Sequence, residues 1–220
     1  MSVPSFKAVA DHALLVEYAT EISDEVNRTV IALDHAIAEA QINGVQEVVP
    51  ALVNLLALFD PTQTTHREVE AAIRALLPVV PADDAKADHH VLDICYDEGM
   101  SPDLEAVAKA RGMSQEAIIK AHVSARYRVG MYGFAPGYAY LSGVPDAIQV
   151  PRKTTPVRDI PAGSVMIAGP QCLATTIIMP TGWSIIGHTP AKIMTGDPAR
   201  PFLFDVGDTV SFNRIRREAL

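Results

Sequence analysis

Between Gly130 and Pro190 the chain sets glycines and prolines among aromatic and aliphatic runs, most densely in Gly133-Phe134-Ala135-Pro136-Gly137-Tyr138-Ala139-Tyr140-Leu141. Glycine reaches positive φ without steric cost, and proline fixes φ near −65° while removing an N–H donor. Packed around aromatics, the two specify turns that bend in one way rather than a generic solvated loop. From Tyr127 onward, short strand-like runs alternate with such turns at intervals of roughly 8 to 12 residues, which predicts a β-barrel or sandwich.

The first part of the chain is built differently. Gly44 is the one glycine before Gly99, and residues 1–87 carry 5 Lys/Arg against 13 Asp/Glu, whereas residues 88–220 carry 13 of each. Two strands, Phe6–Ala10 and Leu14–Tyr18, are expected to turn at Asp11-His12. A helix follows, capped by Ser23 or Asp24, with Val26, Val30, Leu33 and Ile37 on one face and a stop at Asn43-Gly44. Val45–Val49 and Leu52–Phe59 read as paired strands, and Thr65 caps a second helix with Val69, Ile73 and Leu76 inward. The fold class is therefore α+β: a small N-terminal α/β sandwich domain over 1–80, a linker over 81–88 where Pro78, Pro81 and small or acidic residues leave little to bury, and a β domain over 89–220. That domain is expected to open with a strand at Val91–Tyr96. Two short helices then follow, one capped by Ser101 with Pro102 at its first position and ended by Gly112, the next started by Ser114.

Composition removes several classes of function. A net charge of −8 argues against a nucleic-acid partner, because phosphate binding draws on clustered Lys and Arg. The longest apolar run, Val48–Phe59, is broken by Pro50 and Asn54 and falls short of the ~20 residues of a membrane span. No secretory signal is visible, and with only Cys95 and Cys172 a reducing cytoplasm is the expected compartment.

Few motifs are sharp. There is no Walker A pattern, no dinucleotide fingerprint, no GxSxG and no HExxH. His89-His90 is an awkward metal pair because neighbours in a strand face opposite ways, and no metal is expected. Cys172 reads as a small buried hydrophobe, or as an activated thiol if a histidine lies near it. Arg214, Arg216 and Arg217 read as a solvated basic tail, and Trp183 as a core or interface anchor or a pocket wall. Arg152, with Lys153 and Arg158 near, can clamp a carboxylate or simply flank a turn. His188, in Gly187-His188-Thr189-Pro190, is either a structural hydrogen-bonding group or an acid, base or electrophilic donor to a substrate amide. His122 is weighed the same way, with capping of exposed helix carbonyls as its simpler role.

The order and spacing of Tyr127-Arg128-Val129, the Gly133–Leu141 motif, Pro151-Arg152, Pro161-Ala162-Gly163-Ser164-Val165, Ile167-Ala168-Gly169, Gly182-Trp183, Ile186-Gly187, Thr189-Pro190 and Gly207-Asp208, with Pro102-Asp103-Leu104 and His122, resemble the allophanate hydrolase subunit 1 family. That family includes the kinase inhibitor KipI and the B subunit of the bacterial ATP-dependent 5-oxoprolinase. The resemblance covers nearly the whole chain and implies a cyclophilin-like β-barrel in the second domain. It implies one component of a multi-subunit, ATP-dependent amide or lactam hydrolase. Its partners would be a paralogous second subunit (allophanate hydrolase subunit 2, or the C-type subunit of 5-oxoprolinase) and a third, A-type subunit. ATP would be held by another subunit or an unusual site. The alternatives the resemblance carries are a urea carboxyltransferase-type subunit, or a non-catalytic inhibitor of a histidine kinase.

Within that resemblance, the expected site is Arg152 and Arg158 for a substrate carboxylate, Gln171 donating to a carbonyl, His188 in acid–base or electrophilic work, and Tyr140 lining the pocket, with Arg152, Gln171 and His188 around a common hollow. Departures from the family pattern fall at 172–176, where Gln171 is kept but the family's tyrosine is gone, at Val157, and at His188, which replaces an arginine.

Overall fold

The computed structural model describes residues 3–81 and 87–220, so most of the expected linker lies outside the described residues. The chain divides into two compact units, 1–85 and 86–220.

In the first unit, β1 (Ser5–Val9), β2 (Ala13–Glu17), β3 (Val45–Pro50) and β4 (Asn54–Phe59) form an antiparallel sheet in the order β1-β2-β4-β3, accompanied by α1 (Asp24–Ala40) and α2 (His66–Ala75). Ser23 caps α1 by accepting the Val26 N–H at 3.2 Å, and Asp24 and Glu25 sit at the positive end of its dipole. The helix ends at Ala40, ahead of the expected stop at Asn43-Gly44, because Gln41 takes a left-handed φ of 48° and its side chain donates to the Ala38 carbonyl. Thr65 and Glu68 close a reciprocal capping box on α2. Alternation along β4 turns Leu55, Ala57 and Phe59 onto Val30, Leu33, Ile37, Val69 and Ile73, giving this unit one apolar core.

The second unit holds β5 (His89–Cys95), α3 (Leu104–Arg111), α4 (Gln115–Ser124), β6 (Tyr127–Tyr132), β7 (Ala139–Ser142), β8 (Val157–Ile160), β9 (Ser164–Ala168), β10 (Gln171–Ala174), β11 (Met179–Thr181), β12 (Ser184–His188) and β13 (Thr209–Ile215). Seven of these strands close a barrel in the order β10-β7-β6-β13-β5-β12-β9, and β8 pairs with β11 apart from it. One pairing is parallel: β13 runs along β5 from Thr209 opposite His89 to Ile215 opposite Cys95. Leu104, Val107, Ile118 and Ile119 of α3 and α4 join the barrel's main core.

The unbroken run Val165-Met166-Ile167-Ala168 on β9 has a physical cause. Val165 and Ile167 belong to the main core, while Met166 and Ala168 face a second cluster with Ile160, Met179 and Trp183, so both faces of the strand are covered.

Ser101 does not cap α3. Its hydroxyl donates to the Tyr96 carbonyl, and the helix starts after Asp103, whose carboxylate is engaged elsewhere. Gly112 does end α3, at φ 64°, and Ser114 does cap α4. Among the described residues no helix is long and apolar enough to cross a membrane.

Candidate functional site

The residues expected to share one hollow are divided between two. Tyr140, Pro151, Arg152, Ala168, Gly169, Gln171 and Trp183 line the first, of about 350 Å³. His188 lines the second, of about 290 Å³, with Gly163, Thr175, Thr176, Thr189 and Lys192 among its neighbours. Arg158 is exposed on β8 and lines neither.

Strand parity builds the first hollow. Cys172, Leu141 and Ile167 lie opposite one another and face the main core, so Tyr140, Gln171 and Ala168, one residue away on each strand, face outward. Trp183 is 4 % exposed and packs edge-on against Tyr140 at 5.9 Å between ring centroids. The Arg152 guanidinium lies 6.0 Å from the Trp183 ring centroid, within reach of its negative face. Trp183 thus anchors the outer cluster and walls the hollow at once.

The backbone on either side of Arg152 is pinned. Gly169 N–H donates to the Val150 carbonyl at 2.7 Å, Lys153 N–H donates to the Gly182 carbonyl at 2.6 Å, and Lys153 Nζ donates to Asp103 Oδ2 at 2.5 Å. The same Asp103 oxygen accepts the Ile185 N–H at 2.7 Å. Among the described residues no carboxylate pairs with Arg152 and the Gln171 amide makes no hydrogen bond. Burial pushes the Tyr140 hydroxyl above its usual pKa, with the Arg152 charge acting against the rise, so it stays protonated at neutral pH. The hollow offers an anion-binding fork, an amide that both donates and accepts, and two aromatic walls.

A β-bulge decides where His188 goes. Ile185 faces the outer cluster and Ile186 the main core, and the register shifts there, so that Gly187 pairs with inward-facing Val165. A Cβ on Gly187 would meet the core residue Ile94 at 2.7 Å. With both Ile186 and Gly187 turned inward, His188 is released to the opposite side instead of following Ile186 into the core. Simple alternation could not have revealed this. Half-burial holds the His188 imidazole below its usual pKa, and its ring lies against Gly163, where a Cβ would come within 2.7 Å of Cε1.

His122 does not cap exposed carbonyls. It is fully buried, bonded through Nδ1 to the Tyr96 hydroxyl at 2.7 Å, stacked on Phe212 at 4.6 Å, and 3.5 Å through Nε2 from Cys172 Sγ. Cys172 has its histidine neighbour, yet desolvation pushes the thiol pKa up and the imidazole down to about 3. The pair is neutral and sealed, the opposite of an activated thiol. His90 bonds Asp208 at 2.9 Å while His89 contacts Thr209 and Ser211, so the adjacent rings serve different partners. The basic tail is paired, Arg214 with Glu116 and Arg216 with Asp97.

The closed barrel with a small α/β sandwich unit before it is a fold shared with the K. lactis urea amidolyase, at a TM-score of 0.79 and 17 % identity over 99 % of this chain and 15 % of that one. The crystal structure of TTHA0988 matches at a TM-score of 0.82 and 29 % identity over 94 % of this chain, which spans about two-fifths (40 %) of that protein. The chain belongs to the carboxyltransferase domain family, subdomains C and D, whose model matches residues 4–204. Among curated relatives, the B subunit of 5-oxoprolinase from Bacillus subtilis (strain 168) is 34 % identical over 94 % of this chain and 91 % of its own length. The protein of the same name in Escherichia coli O157:H7 is 31 % identical over 77 % of this chain and 78 % of its own length.

Proposed function

We propose that this chain is the B-type subunit of a multi-subunit, ATP-dependent lactam hydrolase that opens 5-oxoproline to glutamate. The likeness to the 5-oxoprolinase B subunits supports the reaction class. One observation carries the site: Arg152, Gln171, Tyr140 and Trp183 meet in one hollow, and among the described residues neither the exposed guanidinium nor the Gln171 side-chain amide is engaged in a hydrogen bond or ion pair with another protein group.

In this reading Arg152 takes the substrate carboxylate, Gln171 pairs with the lactam amide, and Tyr140 and Trp183 cover the ring's apolar edge. An unstrained lactam is a poor electrophile. Transfer of a phosphoryl group from ATP to its carbonyl oxygen activates the carbon toward water, given donors aimed at the developing negative charge. Because the sequence has no Walker A loop, ATP is assigned to the assembled complex, with a paralogous C-type partner and an A-type partner. His188 lies outside the substrate hollow in this scheme.

The test is reconstitution with those partners and measurement of glutamate and phosphate formed from 5-oxoproline. Arg152→Gln is expected to lower kcat/KM by about 10- to 100-fold, the range of a lost charge-assisted hydrogen bond of about 1.5–3 kcal/mol. Unchanged kcat/KM would overturn the assignment.

A further inference from the structure

The His188 hollow has a composition of its own. Its wall carries three groups able to donate: the His188 imidazole, the Lys192 ammonium and the Thr189 hydroxyl. Thr189 Oγ1 accepts the Ala191 N–H at 3.2 Å, and among the described residues nothing accepts its proton. The other two threonines are spent, Thr175 on the Pro161 carbonyl and Thr176 on that of Pro136. Among the described residues Lys192 has no ion-pair partner and the His188 ring no hydrogen bond. Among the described residues no Asp or Glu lines the hollow, although the protein carries 26 of them against 18 Lys and Arg.

The hollow lies at the far end of β9 from the first. Ser164, directly after Gly163, begins the strand beside His188, and Ala168 ends it beside Gln171. Four residue steps at about 3.3 Å put the ends about 13 Å apart, too far for one small substrate to occupy both. A donor-rich, acid-free pocket of this size, with a cation on its wall, suits a compact anion with several acceptor oxygens.

We propose that the hollow formed by His188, Thr189 and Lys192 is a second binding site, for a phosphate-class oxyanion. The choice of phosphate over other oxyanions rests on the ATP-dependent reading above, while the site itself rests on its lining. Lys192 supplies the charge, Thr189 and His188 supply directed hydrogen bonds, and Gly163 leaves room for the ring, whose Cε1 a Cβ there would meet at 2.7 Å.

The experiment follows the His188 ring by NMR through a pH titration of the full chain, in inorganic phosphate, in ADP, and in chloride of matched ionic strength. Phosphate is expected to raise the His188 midpoint by about one pH unit over chloride, because a bound anion favours the charged ring. Lys192→Gln should remove most of that shift, and Arg152→Gln should leave it intact. A response to phosphate assigns the site to the free ion, and a response to ADP alone assigns it to a nucleotide phosphate. No response to either, or one that Lys192→Gln does not weaken, overturns the proposal. The titration uses neither lactam nor partner subunits, so its failure is separate from failure of the hydrolase reading.

Discussion

Asp103 and Lys153, fifty positions apart, are joined through Oδ2 and Nζ at 2.5 Å, and the same oxygen receives the Ile185 N–H. One carboxylate at the start of a helix thus holds both the loop that carries Arg152 and the strand that leads to His188. Each side chain of the pair is 22 % exposed, so the contact is more than a surface ion pair, although solvent still screens it.

Asp103→Ala is therefore expected to destabilise the protein by about 1–3 kcal/mol, because it strands a backbone donor and an ammonium. In a thermal melt this appears as a fall of about 2–4 °C per kcal/mol. Asp103→Asn, which keeps an acceptor for Ile185, should fall less. Equal losses in the two variants would show that the Ile185 bond contributes nothing.

Stability should decline as pH falls below about 6.5. Burial holds folded His122 near 3, whereas the unfolded chain titrates at about 6.5, so between those values the unfolded state binds the extra proton. The loss reaches up to about 1.4 kcal/mol per pH unit. Urea unfolding at pH 7 and pH 5 measures it, and His122→Leu should shrink the difference while costing stability at both, since the Tyr96 hydroxyl then loses its partner.

Neither cysteine should react in the folded protein. Cys95 and Cys172 are both 0 % exposed, and burial raises the Cys172 thiol pKa. A thiol-reactive disulfide reagent at pH 7 is expected to label two thiols in urea and none without it. Rapid native labelling of Cys172 would revive the activated-thiol reading.

Gly163→Ala should cost more than Gly169→Ala. Both positions have positive φ, 84° and 52°, but a Cβ on Gly163 would lie 2.5 Å from the Thr189 carbonyl oxygen, while Gly169 has nothing within 4 Å. The second change carries about 1 kcal/mol of backbone strain, and the first adds a backbone clash. Denaturation midpoints for the two variants check the order.

Local chemistry was legible in the sequence wherever a residue acts on its own neighbourhood. Thr65 and Ser114 cap helices, Gly112 ends one, and Val69 and Ile73 turn inward, because propensity and spacing decide those features. Ser101 misled because hydroxyls compete for several local acceptors, and it took the Tyr96 carbonyl. His122 misled because a helix-end position says nothing about which strands later enclose it. Gln171 and Tyr140 converge through strand parity, which the sequence carries, whereas Arg152 is brought to them by a loop pinned through its neighbours' backbone hydrogen bonds and His188 is sent elsewhere by the bulge at Ile186, neither of which it carries.

The parallel ladder between β5 and β13 joins residues about 120 positions apart, from His89 with Thr209 to Cys95 with Ile215. During synthesis the barrel therefore cannot close until residue 215 has left the ribosome, because β5 and β6 both wait for β13. The four strands of the first unit find every partner within residues 5–59 and can settle long before. The slow, aggregation-exposed interval of this protein's birth belongs to the unit that carries both hollows.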